Sequence, residues 1–136
     1  ARRFDFPRER LMFEVTEGEQ IHDAEHLKRI FAEYGKQGFT TAIDDFGAGY
    51  SGLNLLAEFQ PHLLKLDMAL TRGIDQDPVR QAIVAGIVLV AQRLGIRIIA
   101  EGIESVGERD ALIELGIRYM QGFFFARPAL DRLCCV

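Results

Sequence analysis

Five short apolar runs, each rich in branched or aromatic residues, alternate along the chain with segments of helical periodicity. Runs of this length are typical of buried strands, and helical segments between them are typical of parallel β/α units. The pattern therefore predicts an α/β fold, either an open doubly wound sheet or part of a (β/α)8 barrel. The runs are Leu11–Val15, Phe39–Ile43, Leu63–Leu66, Ile96–Ala100 and Ile117–Met120.

Local signals predict the ends of the helices. The dipeptide Asp77–Pro78 has the residue types favoured at the N-cap and first position of a long helix, and Gly95 is expected to end that helix. Ser105 and Glu108 have the spacing of a capping box that opens another helix, which Gly116 ends. An earlier helix is indicated by an apolar stripe of Ile21, Ala24, Leu27, Ile30, Phe31 and Tyr34, with Gly35 and Gly38 near its end.

Composition narrows the class of protein. A chain of 136 residues without a linker or low-complexity segment is expected to form one domain. Its net charge of −4 argues against a nucleic-acid polymer as partner, and the longest apolar run, Ala82–Ala91, is too short to span a bilayer. The adjacent Cys134 and Cys135 are expected to be reduced, incidental thiols. Because the sequence begins at Ala1 rather than at Met and has no signal-peptide pattern, we expect a piece of a longer protein.

Polar or charged residues lie near the end of every apolar run. Glu14 is late in the first, Asp44–Asp45 follow the second, Lys65 is late in the third, Glu101 follows the fourth and Gln121 follows the fifth. The carboxyl ends of parallel strands meet at one face, which is where barrel enzymes place their chemistry. We therefore expect these side chains to share a site.

Four carboxylates brought together would repel one another unless cations neutralised them. The set Glu14, Asp44, Asp45 and Glu101 offers only oxygen donors, which favours Mg²⁺ or Mn²⁺. A carboxylate-rich site with two such ions can activate water for phosphoryl transfer, and Lys65 would add a fixed positive charge. The alternative interpretation of any one of these carboxylates is a solvated loop residue or a helix cap, and the position of Asp44–Asp45 between an apolar strand and a glycine-rich loop disfavours it for that pair.

Five motifs occur in order along the chain: FEVTE at 13–17, DDFGAGYSGL at 44–53, LLKLD at 63–67, IIAEGIE at 98–104 and YMQGFFFARP at 119–128. Together they give the chain a resemblance to the EAL domain family, over about residues 7–128. The resemblance implies a modified (β/α)8 barrel that hydrolyses cyclic-di-GMP to linear pGpG with Mg²⁺ or Mn²⁺.

Residue roles follow from the resemblance by position. Glu14, Asp44 and Asp45 resemble the metal-coordinating carboxylates of the family. Lys65 resembles the lysine that holds the catalytic water or the surroundings of the second metal. Glu101 resembles the glutamate taken as general base or as a ligand of the second metal.

Further residues resemble supporting parts of the site. Glu104 and Gln121 resemble residues of the active-site floor, and Glu17 resembles the glutamate that anchors the loop after the Asp-Asp strand. That loop, residues 46–52, couples metal and substrate binding to dimerisation in the family, so the resemblance implies a homodimer. It also implies a regulatory sensor domain in the parent chain and a cytoplasmic location, either free or as the cytoplasmic domain of a membrane-attached parent.

Two parts of the family pattern are missing from the sequence. The Glu-Ala-Leu motif of the first strand and a metal-binding Asn of a later strand both precede FEVTE in the family. A barrel has eight strands and typically about 250 residues, whereas five strands are predicted here. Residues 1–136 are therefore expected to form the C-terminal part of an EAL domain, inactive on its own.

Three alternatives remain. Gly47–Gly52 fits G-x-G-x-x-G, which would favour a dinucleotide-binding turn with Asp67 on the ribose. His22–His26 fits H-x-x-E-H, a zinc-protease pattern, although no third ligand is evident. The complete domain could also be a degenerate member of the family that acts as a cyclic-di-GMP receptor or a protein-interaction module.

Overall fold

A computed structural model describes residues 6–16, 24–49 and 52–129. Five strands form one parallel sheet in the order β1-β2-β3-β4-β5, so each strand lies beside its neighbour in sequence. This architecture confirms the predicted partial barrel with five of eight strands. The strands are β1 (Met12–Thr16), β2 (Thr40–Phe46), β3 (Leu63–Leu66), β4 (Arg97–Ala100) and β5 (Tyr119–Met120).

Helices lie between the strands, as the alternating pattern predicts. Two short 3₁₀ turns, at Arg8–Arg10 and Ile74–Gln76, and the single-turn helix after β3 were not predicted. The helices are α1 (Ala24–Lys36), α2 (Gly52–Glu58), α3 (Met68–Thr71), α4 (Pro78–Leu94) and α5 (Val106–Glu114).

The predicted ends of α4 and the predicted start of α5 are confirmed. The Asp77 carboxylate accepts the backbone N–H groups of Val79 and Arg80 at the start of α4, and Gly95 ends that helix in the left-handed conformation with φ +71°. Such caps satisfy backbone groups that have no partner within the helix. Ser105 and Glu108 form both hydrogen bonds of a capping box at the start of α5.

The core lies between the sheet and the helices. Ile43, Leu64 and Leu66 on the central strands are fully buried, and Val84 and Leu112 contribute the inward faces of α4 and α5. Lys65 is the single polar residue in the otherwise apolar strand β3. A charged residue inside such a strand is costly unless it is paired, so its position indicates a site rather than a packing role.

Of the three consecutive phenylalanines after β5, two pack against the core and one does not. Phe124 and Phe125 pack against the core cluster, but Phe123 is half exposed and its ring lies under the Arg127 guanidinium, 4.7 Å from carbon to ring centre. Three consecutive residues cannot all face one side of the chain.

Cys134 and Cys135 lie outside the described residues.

None of the helices within the described ranges is both long and apolar enough to cross a membrane.

Candidate active site

An irregularity in β2 shapes the site. Ile43 pairs with Leu64 and Phe46 with Leu66, so β2 uses one residue more than β3 over this stretch. The extra residue makes a bulge in which Asp44 and Asp45 both lie across from Lys65. The prediction that the two aspartates follow the strand is therefore wrong in detail, because they lie within it.

The bulge also explains why two adjacent side chains can serve one site. Side chains that follow one another along a regular strand point to opposite faces. Asp45, however, has φ +54°, a left-handed conformation that Asp tolerates better than most residues. As a result, one carboxylate oxygen from each of Asp44, Asp45 and Glu101 lies within 4.8 Å of the other two.

Lys65 lies at the centre of the predicted site residues. Its Nζ is 2.8 Å from Asp44 Oδ1, 2.9 Å from Glu101 Oε1 and 3.5 Å from Glu14 Oε2. The lysine side chain is only 12% exposed, so these charge-assisted contacts are screened by solvent less than a surface pair would be. The structure thus brings Glu14, Asp44 and Glu101 together around one ammonium group.

Glu101 is held from several sides just beyond the end of β4. Its backbone N–H donates to the Leu66 carbonyl, continuing the pairing with β3. Its carbonyl accepts a 2.6 Å hydrogen bond from the hydroxyl of Thr71, which is fully buried. Gln121 donates through Nε2 to the same Oε1 that Lys65 contacts, at 2.6 Å. Gln121, which was predicted to support the site, therefore contacts Glu101 directly through its side-chain amide.

The loop after Glu101 is tied to the connection between β3 and α4. One oxygen of the buried Glu108 carboxylate accepts the Gly73 N–H at 2.8 Å, and the other accepts those of Glu104 and Ser105 at 2.8 and 3.1 Å. Gly102 has φ +72°, and a Cβ there would lie 2.7 Å from the Met68 Cβ. The loop that carries Glu101 is therefore both bonded and sterically confined.

The pKa values of Asp44 and Glu101, the two carboxylates nearest to Lys65, are shifted in opposite directions. Burial opposes ionisation of Asp44, but the hydrogen bond and charge of Lys65 outweigh it and hold the pKa of Asp44 below its usual value. Burial raises the pKa of Glu101, and the charges of Asp44 and Asp45 raise it further against the opposing effect of Lys65. Burial alone would lower the pKa of Lys65, yet its carboxylate partners raise it. Lys65 is therefore a permanent cation, and Glu101 is the more readily protonated carboxylate.

Among the predicted site residues that the structure describes, Glu104 is not part of this cluster. Glu104 instead pairs with Arg72 at 2.5 Å, and both side chains are nearly half exposed. Glu17 lies outside the described residues, as does His22 of the H-x-x-E-H pattern. Asp67, the ribose ligand of the dinucleotide alternative, caps α3 by accepting the Ala69 N–H at 2.8 Å.

Two residues next to the site escaped the sequence analysis. Thr71 gives no signal in the sequence, because a threonine in a helical turn is unremarkable on its own. Glu108 was recognised as a capping residue, but its bond to Gly73, 35 positions away, depends on the tertiary fold.

The donor set around Lys65 consists of carboxylate oxygens, which suits a hard divalent cation.

Comparison with curated proteins gives relatives with stated activities. The chain is 42% identical over 115 residues to the cyclic di-GMP phosphodiesterase PdeR of Escherichia coli, covering 85% of this chain and 17% of PdeR. It is 39% identical over 125 residues to the cyclic di-GMP phosphodiesterase RocR of Pseudomonas aeruginosa, covering 92% of this chain and 32% of RocR. The chain thus spans a third or less of the length of these relatives.

Solved structures resemble the fold closely. A standalone EAL protein of Vibrio cholerae bound to c-di-GMP matches with a TM-score of 0.90 and 49% identity, over 96% of this chain and 55% of that one. The manganese and c-di-GMP complex of Klebsiella pneumoniae BlrP1 matches with a TM-score of 0.85 and 43% identity, over 90% of this chain and 31% of that one. The five-stranded sheet therefore corresponds to part of a larger EAL barrel.

The family model of the EAL domain matches residues 2–128, which include all five motifs and the whole described site. With the sheet, the acidic cluster and these relatives in agreement, the chain belongs to the EAL domain family, of which it forms a partial domain.

Proposed function

We propose that the complete domain hydrolyses one phosphodiester bond of cyclic-di-GMP to give linear pGpG. The observation that carries this proposal is the convergence of Glu14, Asp44 and Glu101 on Lys65, with Asp45 beside them. Two relatives are named cyclic di-GMP phosphodiesterases, and two structural neighbours hold c-di-GMP. This chain, residues 1–136, supplies the C-terminal part of that domain.

The carboxylates are suited to hold Mg²⁺ or Mn²⁺. We assign Glu14, Asp44, Asp45 and Glu101 as the residues of this chain that hold the metal ions. Bound there, the ions would polarise the phosphate and lower the pKa of water. One neighbour was solved with manganese and another with calcium, which supports a site for divalent cations.

Glu101 and Lys65 manage the proton and the charge in this proposal. As water attacks phosphorus, the Glu101 carboxylate accepts its proton, while the bond from phosphorus to one ribose oxygen breaks. Lys65 stabilises the negative charge that develops on the phosphate. Gln121 keeps Glu101 Oε1 oriented, and Glu104 supports the loop through its pair with Arg72. Glu17 is proposed to anchor the loop of residues 46–52.

We also propose that the complete domain forms a homodimer through that loop. A groove of about 610 Å³ lies between the loop and α4 and is lined by Gly47, Ile83 and Val90, among others. Ile83 is 47% exposed and Val90 is 38% exposed, so this face presents apolar surface to solvent. Gly47 has φ +100°, and a Cβ there would collide with the side chain of Leu70. The backbone at this position of the loop therefore requires glycine.

The dimer is expected to depend on this apolar groove. Ile83→Glu in the complete domain should give a monomer, because a carboxylate would be desolvated in the interface. Light scattering measures the mass, with Leu89→Glu as the control, since Leu89 is exposed on the same helix but does not line the groove. A dimer that survives Ile83→Glu, or a monomeric wild type, would contradict the proposal.

The remainder of the parent protein is proposed to carry a regulatory sensor domain and to place this domain in the cytoplasm. The chain spans only 17% of PdeR and 32% of RocR. Each of these relatives is therefore long enough to contain further domains.

The activity is tested by following pGpG formation from cyclic-di-GMP by the complete domain. We expect turnover with Mn²⁺ and its loss on adding EDTA, whereas the 136-residue chain alone should be inactive because it lacks the first strands. Turnover by the isolated chain would refute the expectation that residues 1–136 are inactive on their own. A complete domain that binds cyclic-di-GMP without hydrolysing it, as calorimetry would show, would favour the receptor alternative.

A further inference from the structure

The ammonium group of Lys65 lies where the negative charges of the site converge. Its two short contacts, at 2.8 and 2.9 Å, use Oδ1 of Asp44 and Oε1 of Glu101, and its third partner is Glu14 at 3.5 Å. All three partners are residues assigned above as metal ligands. Lys65 thus uses carboxylate oxygens that a divalent cation would also need.

Charge balance makes this contact important when no metal is bound. The clustered oxygens of Asp44, Asp45 and Glu101 repel one another at separations below 4.8 Å. Among the described residues, every salt bridge found for Glu14, Asp44 and Glu101 goes to Lys65. The nearby cation Arg72 is engaged with Glu104 instead. Compensation of the acidic cluster by the described part of the chain therefore depends on Lys65.

We infer that Lys65 is the resident counter-ion of the metal-free site and that it competes with divalent cations for Asp44 and Glu101. Two cations at the same oxygens repel each other and divide the available lone pairs between them. Lys65 would therefore stabilise the empty site and at the same time weaken metal binding. This inference rests on the proposed function only in requiring that the cluster bind a divalent cation.

Competition and a simple supporting role predict opposite changes in metal affinity when Lys65 is removed. If Lys65 only arranged the ligands, its removal would disperse them and weaken metal binding. If Lys65 competes, its removal frees both carboxylate oxygens and removes a like charge, so that metal binding becomes tighter. Metal affinity therefore separates the two roles, whereas loss of turnover would not, because Lys65 is also placed in the catalytic machinery.

Lys65→Met in the complete domain is the decisive variant, since Met keeps most of the length of the lysine side chain and removes its charge. We expect the Kd for Mn²⁺, measured by calorimetry on EDTA-treated protein, to fall by at least about tenfold. The melting temperature in EDTA should fall, and its rise on adding Mn²⁺ should exceed that of the wild type. Lys65→Arg keeps a cation and should show no gain in affinity. Lys36→Met, which removes an exposed charge at the end of α1, should leave the affinity unchanged.

Unchanged or weaker Mn²⁺ binding by a folded Lys65→Met domain would overturn the inference. If that variant is unfolded in EDTA, refolding on addition of Mn²⁺ supports the counter-ion role, and failure to refold counts against it. A wild-type domain that does not bind Mn²⁺ would overturn both the inference and the metal site. A wild-type domain that binds Mn²⁺ without hydrolysing cyclic-di-GMP would refute the proposed activity while a tenfold gain in Lys65→Met still supported the inference.

Discussion

Replacing Glu101 with Gln in the complete domain is expected to lower kcat by about 10²–10⁴-fold, the usual contribution of a general base. Gln keeps the size of the side chain and can still accept a hydrogen bond, but it cannot take a proton and is a poor metal ligand. Because these functions act mainly on the transition state, affinity for cyclic-di-GMP should change much less than kcat. In the metal-free site, burial and the charges of Asp44 and Asp45 raise the pKa of Glu101 above its usual value, although Lys65 opposes them.

The measurement requires kcat, cyclic-di-GMP affinity and melting temperature from one preparation. Glu114→Gln is the matched control, because Glu114 is exposed at the end of α5 and the same chemical change there should alter none of the three. A near-normal kcat with a lowered melting temperature would assign Glu101 a structural role. Activation of water would then be left to Lys65 and the metals.

Asp44→Asn and Asp45→Asn are each expected to weaken Mn²⁺ binding by about tenfold or more. Each change removes one negative charge from a cluster in which the carboxylate oxygens lie within 4.8 Å, while the shape of the side chain is nearly kept. Asp45→Asn is the cleaner variant, since Asn also tolerates the left-handed conformation that the bulge imposes at φ +54°. Asp44→Asn additionally loses the charge that faces Lys65 at 2.8 Å.

Calorimetry on metal-free protein compares these affinities, and circular dichroism verifies that the variants are folded. Asp110→Asn provides the control, because Asp110 lies on the exposed side of α5 and pairs only locally with the neighbouring Arg109. Unchanged Mn²⁺ affinity in both site variants would favour the alternative interpretation, in which Asp44 and Asp45 are solvated residues without a metal.

Much of the fold could be predicted because its signals are local. The run Leu63–Leu66 coincides with β3, and the helix from Pro78 to Leu94 lies between its predicted cap residues. An apolar run, an N-cap aspartate and a terminal glycine act over a few residues, so they can be recognised without knowledge of the tertiary fold. The short helix Met68–Thr71 was missed because a single turn has no periodicity to detect.

The residues of the site could also be named from their places near the strand ends, but their arrangement could not. Gln121 and Glu104 were both expected to support the site, yet only Gln121 contacts Glu101, and Glu104 turns to Arg72. Side-chain partners 20 or more positions apart, such as these, depend on how strands and loops pack, which sequence spacing does not specify.

By itself, the sequence determined the alternation of strands and helices, the helix ends and the five motifs that identify the EAL family. The tertiary structure decided that Asp44 and Asp45 both lie across from Lys65, because the bulge arises only where β2 places two residues opposite one residue of β3. It also decided that Thr71 and Glu108 confine the loop that carries Glu101. These features arise from pairing between distant segments, and the free energy of that pairing is set by the register of the whole sheet rather than by any local run of residues.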